Sequence, residues 1–528
     1  MNEPDWLTSR NHASPQKTAL IISGDQWTYA ELDQMVNSVC AQLIEVGVES
    51  GEFVGVLMPN CLEYVCLIHA LARLGVVLVP LNMRLTEREL AWQVAHVGCK
   101  LVLVDSIHAK KLTTCEQVII NPEWLHTHDS FTIHNSQFTI HNYQAIVFTS
   151  GTSGNPKGVP LTFNNHFHSA MSSAYRLGVL PDDVWLSCLP LYHVGGLAVI
   201  WRSCLYGTAV NLHPRFILEE VNQALDTLPI TLISLVPTML YRLLETRKSW
   251  PASLRLILLG GAAATKDLIE RTNKLPRTWN SEQSVHNSQF IIHNSQFPLV
   301  TTTYGLTEAS SQVATMLPAD VARKPGSVGK PLLFTSVDIV DENGRSLPPN
   351  EYGEIVVTGP TVMSGYFDKD QRLKIEDSHS SPQSSIFNPS TSSGQVLQSS
   401  FHTGDIGYLD DDGDLWIVQR RSDLIVSGGE NVYPAEVEAV LKSHPAVAGV
   451  CVVGLPDAEW GQVVAAMVQL EPGASLTEAE LLEFSREQLA RYKQPRRVKF
   501  GTALPLTSSG KIARQVVAAQ LAARPPRF

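Results

Sequence analysis

The chain reads as an α/β protein of more than one domain, and three observations carry that reading. Its 528 residues exceed what a single hydrophobic core organises. Short apolar runs alternate with stretches of helical periodicity, the pattern of buried, mainly parallel strands covered by helices. Beyond a boundary within Arg420–Asp423, the last hundred or so residues are enough for a small α+β domain. The expected division is a large N-terminal α/β domain over 1–421 and a C-terminal domain over 422–528.

In order, Phe53-Val54-Gly55-Val56-Leu57-Met58 is an expected strand, and Leu62 to Leu74 carries apolar residues at helical spacing. Val76 to Pro80, Leu101 to Val104, Ala145 to Phe148 and Leu232 to Val236 are further expected strands. In the C-terminal part Val447 to Val453 reads as a strand and Thr477 to Tyr492 as an amphipathic helix. Its opening, Thr477-Glu478-Ala479-Glu480, has the spacing of a capping box. Three segments, near 126–144, 281–298 and 377–400, break the alternation. Near-identical repeats begin at His134-Asn135-Ser136-Gln137-Phe138 and His286-Asn287-Ser288-Gln289-Phe290, and the third segment is rich in Ser, Gln and Pro. Histidines that merely recur do not make a ligand set, so exposed inserted loops without metal are expected.

Composition excludes several classes. Hydrophobic residues at 44% and charged residues at 17% fit a globular enzyme. A net charge of -11 argues against a general nucleic-acid binder. The eight cysteines form no C-x-x-C pair, so neither a zinc site nor a redox motif is expected, and free thiols in a reducing compartment are. Met1 to Asp5 is acidic, no apolar signal core follows, and no run of about 18 apolar residues occurs. A cytoplasmic protein without a membrane span is expected. Nothing in the sequence speaks to oligomeric state.

The densest chemical signal is Thr149-Ser150-Gly151-Thr152-Ser153-Gly154-Asn155-Pro156-Lys157-Gly158-Val159, directly after the strand at Ala145–Phe148. Glycines free backbone N–H groups to wrap a polyphosphate, hydroxyls add donors, and Lys157 can neutralise charge. The order is not the G-x-x-x-x-G-K-[ST] pattern, because Lys157 precedes Gly158 and the hydroxyls precede the lysine. An ordered series follows: Pro190-Leu191-Tyr192-His193-Val194-Gly195-Gly196, Gly260-Gly261-Ala262-Ala263, Tyr304-Gly305-Leu306-Thr307-Glu308, His402-Thr403-Gly404-Asp405, Arg420-Arg421-Ser422-Asp423, Ser427-Gly428-Gly429-Glu430-Asn431 and Ser508-Ser509-Gly510-Lys511-Ile512. Each alone reads as a turn or a solvated charge. Together, from about residue 15 to residue 520, they resemble the acyl-adenylate-forming superfamily of acyl-CoA synthetases, luciferases and peptide-synthetase adenylation domains.

The resemblance implies an adenylate-forming N-terminal domain, a mobile C-terminal domain, and an active site between them that uses ATP, Mg²⁺ and coenzyme A. It implies that Thr149, Ser150, Gly151, Thr152, Ser153, Gly154 and Lys157 hold the phosphates. Tyr304 and Gly305, with Thr307 beside them, should line the adenine pocket, and Thr149 and Glu308 should hold Mg²⁺. Asp405, assisted by Arg420, should bind the ribose, and Gly428 and Gly429 should guide the pantetheine arm. Lys511 should bridge the acyl carboxylate and the α-phosphate. The pivot between domains falls on Ser422, where the superfamily often has Asp or Lys. The chemistry fits the residue types: two anions must meet, so cations have to screen them, and a moving domain lets adenylation and thiol attack share one site.

Leu81 to Leu90, Val199-Ile200-Trp201-Arg202, Leu256 to Gly261 and Arg420 to Ile425 also resemble the 2-succinylbenzoate–CoA ligases of menaquinone and phylloquinone synthesis. That acid carries a second carboxylate, which needs a cation if buried. Arg84 and Arg202 are the candidates, with His193 near the activated carboxylate and Gly260 and Gly261 beside a flat ligand. Gly195-Gly196 is expected to leave room for a broad aromatic acid. Benzoate- or coumarate-type ligases, a stand-alone enzyme that loads a carrier, and a catalytically dead homologue are the competing readings. Lys157, Glu308, Asp405 and Lys511 argue against the last.

Overall fold

The computed structural model describes residues 5–127, 143–149, 156–262, 264–278, 299–367, 399–419, 424–505 and 512–522. All three repeat or low-complexity segments fall largely outside these residues, as does the expected domain boundary at 420–423.

Two sheets build the large N-terminal part. The first has six strands in the order Gln117–Ile119, Leu101–Val104, Phe53–Leu57, Val77–Pro80, Tyr143–Thr149, Lys157–Thr162. It is parallel except for its last pair, an antiparallel hairpin. The helix Leu62–Leu74 has the bounds its periodicity predicts and ends on Gly75, whose φ of 68° supplies the left-handed stop. That helix is buried on nearly all sides. With Tyr29–Glu45 and Val194–Tyr206 it fills the space between the sheets, in one apolar cluster that takes Val54 and Leu103 from one sheet and Leu20 and Leu212 from the other.

The second sheet has thirteen strands. Its centre, Thr18–Ile22, Ala209–Leu212, Val184–Ser187, Leu232–Leu235, Leu256–Leu259 and Val300–Leu306, is parallel as expected. The expectation of mainly parallel strands stops there. From Val300–Leu306 the sheet continues as an antiparallel arm through Ser311–Thr315, Ser327–Pro331, Leu415–Gln419, Ser400–Leu409, Gly353–Thr358 and Ser336–Val340. Short connections such as that between Leu306 and Ser311 leave no room for a crossover helix, so these neighbours must run antiparallel. The arm also anchors the chain around the third insert. The Phe367 amide donates to the Gly158 carbonyl at 2.8 Å, and the Gly359 amide to the Ser399 carbonyl at 3.2 Å.

The small C-terminal part is a five-stranded sheet with helices Pro434–Lys442, Glu478–Arg486 and Arg514–Ala522. Thr477 and Glu480 form the predicted capping box. The helix ends at Arg486 rather than Tyr492, because the Gln488 and Leu489 amides both turn back to the Ser485 carbonyl and bury Leu489 and Ala490. Ala490 and Tyr492 join an apolar cluster with Leu85, Leu90 and Val94 of the large part. All eight cysteines are free, and burial pushes thiols such as Cys40 and Cys188 up to about 12. Among the described residues no helix is long and apolar enough to cross a membrane.

Candidate active site

Thr149 and Lys157, at the two ends of the candidate phosphate-loop sequence, are paired in the antiparallel hairpin. Ser150, Gly151, Thr152, Ser153 and Gly154 lie outside the described residues, as do Arg420, Ser422 and Lys511. The Lys157 ammonium sits 4.6 Å from the centre of the Tyr366 ring, and the Tyr366 hydroxyl donates to Glu308 Oε1 at 2.9 Å. The loop's cation is thereby linked to a buried carboxylate that belongs to a different motif.

A cleft of about 290 Å³ brings most of the remaining candidates together. Thr149, Tyr304, Gly305, Thr307, Glu308 and Asp405 line it, and so do His193, Arg202, Gly260, Gly261 and Arg84. Gly428 and Gly429 line it from the small part. The Tyr304 hydroxyl donates to Asp405 Oδ2 at 2.6 Å, tying the end of a parallel strand to the antiparallel arm. Gly305 cannot be another residue, because a Cβ there would stand 1.8 Å from the Ser311 carbonyl oxygen. Gly196 serves the backbone in the same way, since a Cβ would stand 2.3 Å from the Pro190 carbonyl oxygen. Its missing side chain is used for close packing at the start of the helix Val194–Tyr206, while Gly195 remains on the cleft.

The two candidate arginines differ in environment. Arg84 is half exposed, and its Nη1 lies 3.2 Å from Glu430 Oε1. Arg202 is fully buried in the helix Val194–Tyr206. Its Nη2 donates to Ser169 Oγ at 3.2 Å, and among the described residues its Nε has no hydrogen-bond partner and no carboxylate pairs with it. Burial pushes the Arg202 pKa down. Burial, with the Arg202 charge beside it, also pushes His166 down to about 3, so that imidazole is neutral. A buried guanidinium that opens on a cleft without a counter-charge suits an anionic ligand group.

Glu430, in the Ser427–Asn431 motif, has no role implied by the resemblance, yet it lines the cleft. It is 3% exposed and reaches from the small part into the large one. It accepts from Asn82 Nδ2 at 3.2 Å and the Tyr192 hydroxyl at 3.2 Å, and it contacts His193 Nε2 at 3.1 Å. Burial alone would raise its pKa, but His193, Arg84 and Tyr192 hold it below the ordinary carboxylate value. The one signal available was a lone acid between glycines and a polar residue in an otherwise neutral loop.

Thr149 and Glu308 offer hydroxyl and carboxylate oxygens, a donor set that fits a hard divalent cation such as Mg²⁺. Asp405 offers acceptors for a diol. The AMP-binding enzyme family model matches residues 7–367, and that of the AMP-binding enzyme C-terminal domain matches residues 436–511. The chain is similar to the 2-succinylbenzoate–CoA ligase of Bacillus cereus, with 40% identity over 519 residues and 97% of each chain covered. It is also similar to a double-mutant o-succinylbenzoate CoA synthetase from Bacillus subtilis bound with its product analogue OSB-NCoA, with TM-score 0.83, 35% identity and 100% of both chains covered. The same Bacillus subtilis enzyme with the acyl-adenylate intermediate OSB-AMP gives TM-score 0.68 at 34% identity, covering 100% of this chain and 99% of that one. With ATP and magnesium ion it gives TM-score 0.68 at 35% identity, covering 98% and 99%. With the cleft and its carboxylates arranged in this way, and with both matched models in this order, the chain belongs to the AMP-binding enzyme family.

Proposed function

We propose that the chain is an ATP-dependent acid–CoA ligase that converts 2-succinylbenzoate, ATP and CoA to 2-succinylbenzoyl-CoA, AMP and diphosphate, a step of menaquinone or phylloquinone synthesis. The observation that carries the choice of acid is Arg202: a buried cation with no carboxylate partner among the described residues, on the cleft, where an acid with a spare ring carboxylate supplies a counter-charge. Benzoate and coumarate would leave it unpaired, at a cost of several kcal/mol for a buried charge. The relatives' names and the 40% identity support the same acid.

In the first half-reaction an oxygen of the succinyl carboxylate attacks the α-phosphorus and diphosphate leaves. Arg202 holds the far carboxylate, so the succinyl end is the one presented. Gly260 and Gly261 let the ring lie against the backbone. Asp405, oriented by Tyr304, accepts from the ribose hydroxyls, and Lys157 balances phosphate charge. Glu308 and Thr149 would hold Mg²⁺, which would supply charge neutralisation at the phosphates. Lys511 is assigned to the meeting point of the two anions. In the second half-reaction the CoA sulfur attacks the acyl carbon and AMP departs, with Gly428 and Gly429 flanking the path of the thiol. The greater similarity to the product-analogue complex than to the acyl-adenylate complex supports assigning the described arrangement to this second step. In it His193, on the cleft, also contacts Glu430 of the small domain through Nε2.

The test is acid-dependent diphosphate release and CoA-thioester formation across a panel of acids. 2-Succinylbenzoate should be preferred over benzoate and coumarate by at least about 10²-fold in kcat/KM, the scale set by leaving a buried charge unpaired. Better use of benzoate or coumarate overturns the acid, and adenylation without CoA transfer points to a carrier-loading enzyme instead.

A further inference from the structure

Lys493 is 3% exposed and lies between two carboxylates. Its ammonium donates to Glu436 Oε1 at 2.7 Å within the small part, and to Glu89 Oε1 at 2.6 Å across the interface with the large part. Both carboxylates are buried. Glu436 and Lys493 belong to the same small domain and stay together whatever its orientation. Glu89 does not move with them. Its bond to Lys493 therefore exists only when the small domain is docked as described.

Glu89 also has a local task. Its Oε2 accepts from the Thr86 amide at 2.7 Å and the Thr86 hydroxyl at 2.8 Å, closing the capping box of the helix Glu87–Val97. Glutamine serves equally well at that position of a capping box, so the cap does not require the charge. The charge is used by the oxygen that faces Lys493. Beside this contact Leu85, Leu90, Val94, Ala490 and Tyr492 pack together across the interface, and both partners are buried, so little water screens the pair. An interaction made in one domain orientation and lost in others shifts the population toward the first.

We propose that Glu89 is a positioning residue for thioester formation: its carboxylate, through Lys493, holds the small domain in the orientation from which the thiol attacks. The proposal rests on the two-step ligase reading above. The test is Glu89→Gln in the full-length enzyme, with each half-reaction measured separately: diphosphate release from acid and ATP, and acyl-CoA formation from supplied acyl-adenylate and CoA. Loss of one charge-assisted contact with the cap retained should slow thioester formation on the order of 10-fold, while adenylation stays within about twofold or quickens. The melting temperature reports on the cap and should be nearly unchanged. A parallel fall in both half-reactions, or no change in either, overturns the proposal and leaves the ligase reading standing. If the wild-type enzyme forms no thioester from acyl-adenylate, the ligase reading fails and the proposal falls with it.

Discussion

Replacing Arg202 by methionine should separate substrate recognition from folding. The side chain is fully buried, carries an unpartnered Nε, and has its pKa pushed down by burial, so the charged form is held there at a cost to stability. Methionine keeps length and packing and removes that cost. Ser169 loses one donor but keeps a partner, because its hydroxyl already donates to the Ser310 carbonyl at 2.7 Å. The melting temperature of Arg202→Met should therefore equal or exceed that of the wild type. Activity should move the other way. A lost charge-assisted contact to the ring carboxylate is worth about 1.5–3 kcal/mol, or roughly 10- to 150-fold in kcat/KM for 2-succinylbenzoate. The KM for ATP should hold, and an analogue without the ring carboxylate should lose little more than it has already lost with the wild type. Equal losses for acids with and without that carboxylate, or a marked drop in melting temperature, would refute the assignment and make Arg202 a structural residue.

Arg84→Ala, by contrast, should alter acid preference by less than about threefold, because Arg84 is half exposed and paired with Glu430, and exposed pairs contribute little; a selective loss of 2-succinylbenzoate use would return it to the substrate site. Lys511→Ala should slow adenylation on the order of 10² or more and spare thioester formation from supplied acyl-adenylate; equal loss in both steps would sink that role. Acid stability should report the buried histidines. Burial lowers His69 to about 4 and His166 to about 3, so between those values and the ordinary histidine range the unfolded chain binds protons that the native one does not. Stability is full above about pH 6.5 and falls as pH drops, by about 1.4 kcal/mol per unit for each histidine. Denaturant titrations at pH 7 and pH 5 check the sign; equal stabilities would contradict it.

The parts of the fold legible in the sequence were those fixed over a few residues. Leu62–Leu74 and Leu101–Val104 match their expected bounds because periodicity, and for the helix a terminal Gly75, decide them locally. The antiparallel arm escaped, since strands such as Ser336–Val340 are short and alternate between exposed and buried residues, a pattern that does not name a partner strand. At the site, motifs located most of the cleft's lining. They did not rank Arg84 against Arg202, because the difference lies in burial by helix packing. Nor did they assign Glu430, whose contact with His193 joins residues 237 positions apart and depends on how the two parts dock.

The bonded anchors on either side of the third insert carry an evolutionary consequence. With Phe367 tied to Gly158 and Ser399 tied to Gly359, both ends of the intervening chain are fixed by the active-site framework. The entropy of closing such a connection rises only logarithmically with its length, by about 0.6 kcal/mol for each doubling. A lineage can therefore acquire or shed sequence between these anchors in a single genetic event at little thermodynamic penalty, and neighbouring species should differ there in length long before they differ in the motifs on either side.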